Sequence, residues 1–97
     1  MNLNITGHHV EVTDALRDYV TDKMARIEGH HDKIISVNVT LKVEKLDQKA
    51  EATLQLAGNT IHADSSKPDM YAAIDDMIDV LDRQVRHHKR RITDHRG

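Results

Sequence analysis

Residues 35–43 read ISVNVTLKV, and they decide the fold. Ile35, Val37, Val39, Leu41 and Val43 alternate with Ser36, Asn38, Thr40 and Lys42. A strand with this pattern has one apolar face to bury and one polar face for water. It needs neighbouring strands and a cover. Downstream, EKLDQK (44–49) predicts a turn, and Ala50, Ala52, Leu54 and Leu56 alternate through another strand. Gly58-Asn59 is hairpin chemistry, with Gly58 supplying a positive φ at the first turn position. Thr60 to Asp64 then predicts a short strand with Ile61 and Ala63 inward. Upstream, Met1, Leu3 and Ile5 share one face of a strand that Gly7 ends.

The cover is helical. Thr13 suits a helix N-cap and Asp14 the first turn, where a negative charge is favourable. Leu16, Tyr19, Val20, Met24 and Ile27 recur at spacings of three and four, and Gly29 is placed for the C-terminal cap. SSKPD (65–69) is expected to break the chain and start a last helix near Asp69. Its apolar stripe is Met70, Ile74, Met77, Ile78, Leu81 and Val85, with Ile92 a further candidate. The order βαβββα predicts an α+β domain with a four-stranded mixed sheet. The first two strands are parallel, the last three form an antiparallel meander, and both helices pack on one face.

Composition narrows the class. Ninety-seven residues make one domain over 1–97. The absence of cysteine excludes disulfides and cysteine-ligated metals and makes the cytoplasm the expected compartment. MNLNITGHHVEV has neither the basic start nor the apolar centre of a signal peptide, and no apolar run nears the roughly 20 residues of a membrane span. With no Phe or Trp, and only Tyr19 and Tyr71 as aromatics, the core must be aliphatic.

Charge is the unusual property. The stretch DRQVRHHKRRITDHR (82–96) holds six of the fourteen Lys and Arg residues (Arg83, Arg86, Lys89, Arg90, Arg91 and Arg96) against Asp82 and Asp94, although the formal net charge is -2. The remaining residues carry eight cations against fourteen acids, so the chain is a charge dipole rather than a polycation. A protein of this kind can dock one basic region on a polyanion without coating nucleic acid indiscriminately. The last helix, at about 23 residues and about 34 Å, should outrun the first, at about 22 Å, and carry its basic end past the sheet. On a helical wheel Arg83, Arg86 and Arg90 face outward, as do Asp75, Asp76, Asp79 and Asp82 one turn earlier. Asp79–Arg83 and Asp82–Arg86 can pair at i,i+4, and cations at a helix C-terminus complement its dipole. Lys89, Arg90, Arg91 and Arg96 have no such upstream carboxylate, which suits a phosphate-rich surface. On the first helix, Arg17, Lys23 and Arg26 are ordinary solvated surface unless Lys23 and Arg26 face the groove between the helices.

Other chemistries have little support. Neither tyrosine lies on a strand, so recognition should rest on phosphates and shape rather than on bases stacked over the sheet. Tyr19 reads as core, and Tyr71 is left open. His8-His9, His30-His31 and His87-His88 are adjacent pairs whose side chains diverge, and no HExxH motif occurs, so no metal is expected. With no GxSxG, phosphate loop or nucleophile–base pairing, the expectation is a protein that is not an enzyme and uses no cofactor.

The segments LNITGHHVEVTDALRDYV (3–20), LKVEK (41–45) and DMYAAIDDMIDVLDRQVRHHK (69–89) resemble the bacterial ribosome hibernation promoting factor family across essentially the whole chain. The most specific match is DMYAAID followed by Arg83, Gln84, His88 and Lys89. The resemblance implies the βαβββα fold, which is that of a double-stranded-RNA-binding domain with an extra N-terminal strand. It also implies binding in the channel between head and body of the small ribosomal subunit, over the mRNA and the A and P tRNA positions, in stationary phase or stress. The residues it implies face 16S rRNA are Lys23, Arg26, Arg83, Arg86, His88, Lys89, Arg90 and Arg91, with Arg90 departing from the commoner pattern. The length resembles the short members, which act with ribosome modulation factor to favour paired 100S ribosomes formed from 70S particles. No membrane or DNA partner is implied, and the chain is expected to be a monomer off the ribosome. Two other classes stay open: a general binder of structured RNA, which would want lysines at the start of its last helix where only Lys67 stands near, and a protein–protein adaptor using the basic helix end.

Overall fold

The computed structural model describes residues 1–31 and 33–95, with side chains of the last helix described as far as His87. The elements are β1 (Asn2–His8), α1 (Asp14–His30), β2 (Ile34–Glu44), β3 (Asp47–Leu56), β4 (Asn59–Lys67) and α2 (Met70–His95). They build one four-stranded sheet in the order β1-β2-β3-β4. β1 pairs parallel with β2, and the other two pairings are antiparallel. The βαβββα order and the mixed sheet are as the alternation predicts.

Register explains the core. Leu3, Val37, Leu54 and Ile61 form one row across the sheet, and Ile5, Val39, Ala52 and Ala63 form the next. All point to the same side, where Leu16, Val20, Met24 and Ile27 of α1 and Met70, Ala73, Ile74, Met77, Ile78, Leu81 and Val85 of α2 complete one aliphatic cluster. The small residues Ala50, Ala52 and Ala63 lie on β3 and β4, the strands that α2 covers, and they leave room for its methionines. The opposite face is polar: Asn4 donates to Asn38 at 3.2 Å, and Lys42 and Lys49 flank Glu51 at 3.7 and 3.2 Å.

Several local expectations are corrected. Ile35 does not point inward. A bulge between Ile34 and Ser36 turns it out, leaving it 52% exposed, while Ile34 takes the core position. The β2–β3 turn is only Lys45-Leu46, with Lys45 at φ 55 and Leu46 88% exposed. Leu56 pairs with Asn59, so Gly58 (φ 76) is the second turn residue rather than the first. β4 runs on through Ser65, Ser66 and Lys67, leaving only Pro68-Asp69 as the break. Ser65 occupies an inward position because its hydroxyl donates to Asp76 Oδ2 at 2.6 Å, which satisfies a buried polar group.

The helix caps divide likewise. Thr13 Oγ1 accepts from the Leu16 N–H at 3.2 Å, and Asp69 Oδ2 accepts from the Ala72 N–H at 3.0 Å. Gly29, however, lies inside α1, and the chain leaves at His31 in an extended conformation (φ -154). Entry into β2 needs no left-handed residue there, so the glycine is not used as a cap. α1 has 17 residues and α2 has 26, about 26 and 39 Å, so both are longer than the sequence predicts while the difference between them is nearly as expected.

Candidate nucleic-acid interface

α1 and α2 lie side by side and parallel. Tyr19 meets Tyr71, Lys23 meets Asp75 and His30 meets Asp82, each pair 52 residues apart in sequence. The seam therefore runs from Tyr19 and Tyr71 to His30 at the end of α1, beside Asp82, and α2 continues to His95, about 20 Å further. Charge asymmetry along the sequence thus becomes asymmetry along one face of the molecule.

The N-terminal half of the seam is neutralised from within. Tyr19 Oη donates to Asp75 Oδ1 at 2.6 Å, and its ring meets Tyr71 edge-on with centroids 4.9 Å apart. The Asp75 carboxylate that accepts this bond, helped by burial, pushes the Tyr19 phenol up to about 12. Lys23 Nζ stands 3.4 Å from the same Asp75 oxygen and 5.3 Å from the Tyr19 ring centroid. Tyr19 is half-buried beside the core, close to expectation, and Tyr71 is exposed.

The C-terminal half is cationic. Arg26 follows Lys23 by three residues and precedes His30 by four, so it shares the stripe by which those two touch α2. Arg26 and Arg83 are both exposed, and among the described residues neither has an ion-pair partner. The expected Asp79–Arg83 pair does not form among the described residues, whereas Arg86 Nε lies 3.4 Å from Asp82 Oδ2. Asp82 is not on the outward face. It is buried in the seam, with its Oδ1 2.6 Å from His30 Nδ1. Asp75 and Asp76 are likewise engaged, with α1 and β4 respectively.

Lys23, through Asp75, and Arg86, through Asp82, lie along the seam, Arg26 falls between Lys23 and His30 on α1, and Arg83 is exposed on α2. His88, Lys89, Arg90 and Arg91 follow on the helix, but their side chains lie outside the described residues, as does Arg96 altogether. The Asp82–Arg86 pair is as the spacing predicts, but sequence reasoning missed the His30–Asp82 contact across the seam and the partner of Gln84. The signal for Asp82 was available: it follows Ile78 by four and precedes Val85 by three, which puts it beside the apolar stripe. Gln84 Nε2 donates to the His62 carbonyl at 2.7 Å, tying α2 to β4, and no pattern within α2 predicts that partner.

Among the described residues no group of three or more histidines and acids is placed to hold a metal ion. The assembly is a small α+β binding module with a cationic helix seam. Its sequence matches the family model described as sigma 54 modulation protein / S30EA ribosomal protein over residues 3–93, and the chain belongs to that family. It is 58% identical over 89 residues to a Pseudomonas putida protein named ribosome hibernation promoting factor, covering 92% of this chain and 87% of that one. The Escherichia coli protein of the same name is 50% identical over 95 residues, covering 98% and 100%. A ribosomal subunit interface protein from Coxiella burnetii superposes with a TM-score of 0.87 at 30% identity, covering 92% and 98% of the two chains. The N-terminal domain of Thermus thermophilus protein Y gives 0.85 at 35% identity, covering 91% and 99%. The family is one of ribosome-associated regulatory proteins, so the chain is not an enzyme.

Proposed function

We infer that this protein is a ribosome hibernation factor that docks its cationic helix seam on 16S rRNA phosphates of the small subunit. It lies between head and body, over the mRNA and the A and P tRNA positions, and stops translation by occupying space. The observation that carries this is the pair Arg26 and Arg83, both exposed and, among the described residues, without an ion-pair partner. Partnerless exposed cations keep their full attraction for phosphates, whereas paired ones must first give up a partner. Lys23 and Arg86 add to these cations, the sequence supplies His88, Lys89, Arg90 and Arg91 as further contacts of this reading, and the names of the relatives supply the ribosomal setting.

The protein acts in the cytoplasm in stationary phase or stress, is a monomer off the ribosome, and favours 100S dimers together with ribosome modulation factor. Among the described residues the large apolar side chains left exposed are Met1, Ile35, Leu46 and Tyr71. No helix is long and apolar enough to cross a membrane among the described residues. The test is competition on isolated small subunits. Saturating protein should displace labelled initiator tRNA and mRNA, and adding ribosome modulation factor to 70S particles should raise the 100S peak in a sucrose gradient. Simultaneous binding of protein, mRNA and tRNA would refute the blockade.

A further inference from the structure

Asp82 looks misplaced for a polyanion-binding surface. It is an acid inside the basic stretch, its side chain is only 11% exposed, and its charge opposes any phosphate brought to the seam. A buried carboxylate is costly unless fully paired, and this one is paired from both sides. Its Oδ1 meets His30 Nδ1 of α1 at 2.6 Å, and its Oδ2 meets Arg86 Nε of α2 at 3.4 Å. Because a carboxylate only accepts, the hydrogen in the short contact belongs to the His30 ring. Arg86 forms an ion pair with Asp82 through its Nε, and its side chain remains 58% exposed. The approach is at the inner nitrogen, so the two terminal nitrogens, the fork that grips phosphate, lie on the far side of the guanidinium from this contact.

We propose that Asp82 is a positioning residue: it anchors the inner nitrogen of Arg86 against the helix seam and so aims the outer guanidinium fork at an RNA phosphate. Without this anchor Arg86 samples its rotamers freely, and ordering it on binding costs affinity. This rests on the phosphate-docking reading above and adds to it the device that orders one of its cations.

Asp82→Asn separates this role from simple electrostatics, because the two predict opposite signs. An asparagine can keep its oxygen towards His30 while its NH2 replaces Oδ2 beside Arg86 Nε. It therefore holds the helix–helix contact and releases the arginine. Removing a negative charge from the docking face should by Coulomb attraction alone tighten binding, about 2-fold. Loss of positioning should weaken it about 3- to 10-fold. Affinity for purified small subunits is measured by anisotropy of labelled protein for wild type, Asp82→Asn, Arg86→Ala and the double variant, with thermal melts to verify folding. The expected result is weaker binding by Asp82→Asn, an effect that disappears in the Arg86→Ala background. Equal or tighter binding by Asp82→Asn, or the same loss in both backgrounds, would overturn the inference while leaving docking intact. Should Asp82→Asn not fold, Arg86→Lys decides. Lysine keeps the charge but has no inner nitrogen for Asp82 to hold, so it should bind about 3- to 10-fold more weakly than wild type, and affinity within about 2-fold of wild type in Arg86→Lys would overturn the inference. Failure of wild type to bind the small subunit would overturn the docking reading and this inference with it.

Discussion

Exposed cations with partners and those without should behave differently towards salt. Arg26 and Arg83 have no ion-pair partner among the described residues, whereas Lys23 is 3.4 Å from Asp75 and stacked near Tyr19. Each phosphate contact contributes about 0.7 to 0.9 to the slope of log affinity against log salt. Replacing Arg26 and Arg83 by Ala should therefore reduce the slope by about 1.4 to 1.8. Between about 50 and 200 mM salt, a fourfold change, the gap between wild type and variant should narrow by roughly 7- to 12-fold. Lys23→Ala should change the slope less than either arginine does, because Asp75 already screens that charge. The assay is anisotropy of labelled protein titrated with small subunits at four salt concentrations. Both arginines are exposed, so melting temperatures should stay close to wild type. An unchanged slope in the double variant, or a larger change in Lys23→Ala, would refute the idea that internal pairing ranks these cations.

Three further outcomes follow from the fold. In a Tyr71→Phe background, absorbance at alkaline pH should show Tyr19 ionising near 12, and Asp75→Asn should bring it back towards 10; ionisation near 10 before that change would refute the Asp75 bond. Because the folded value lies above the unfolded one, the stability from this bond is complete below about pH 10 and lost as pH rises towards 12. Gly7→Ala would drive a Cβ into the Val10 carbonyl oxygen and to 3.0 Å from Val12 Cγ2, so urea or thermal unfolding should register about 1–3 kcal/mol of destabilisation. Thr13→Ala removes the acceptor for the Leu16 N–H and should cost about 1 kcal/mol by the same measurement, with subunit affinity unchanged.

What could be read from the sequence was whatever local periodicity controls. Val37, Val39 and Leu41 alternate because a sheet covered on one side imposes a period of two, and that alone settles the architecture. Ile35 was misread because a bulge depends on how β2 pairs with Leu56 and Gln55, which no spacing within β2 reveals. Ser65 to Lys67 looked like a break because the inward serine is stabilised by Asp76, eleven residues away on another element. The same limit applies to the seam. Basic residue types at the end of α2 were plain, but which cations are already engaged depends on contacts such as Lys23–Asp75 and His30–Asp82 that form only when the helices meet in parallel. Two acids read as outward-facing, Asp75 and Asp82, turn out to grade the charge along that seam.

The cationic seam should dock on the small ribosomal subunit through phosphates. Co-sedimentation of the purified protein with isolated small and large subunits across a salt series tests it most directly. The protein should pellet with the small subunit alone and be released steadily as salt rises. Equal pelleting with both subunits would indicate a general RNA binder, and binding to neither would contradict the account.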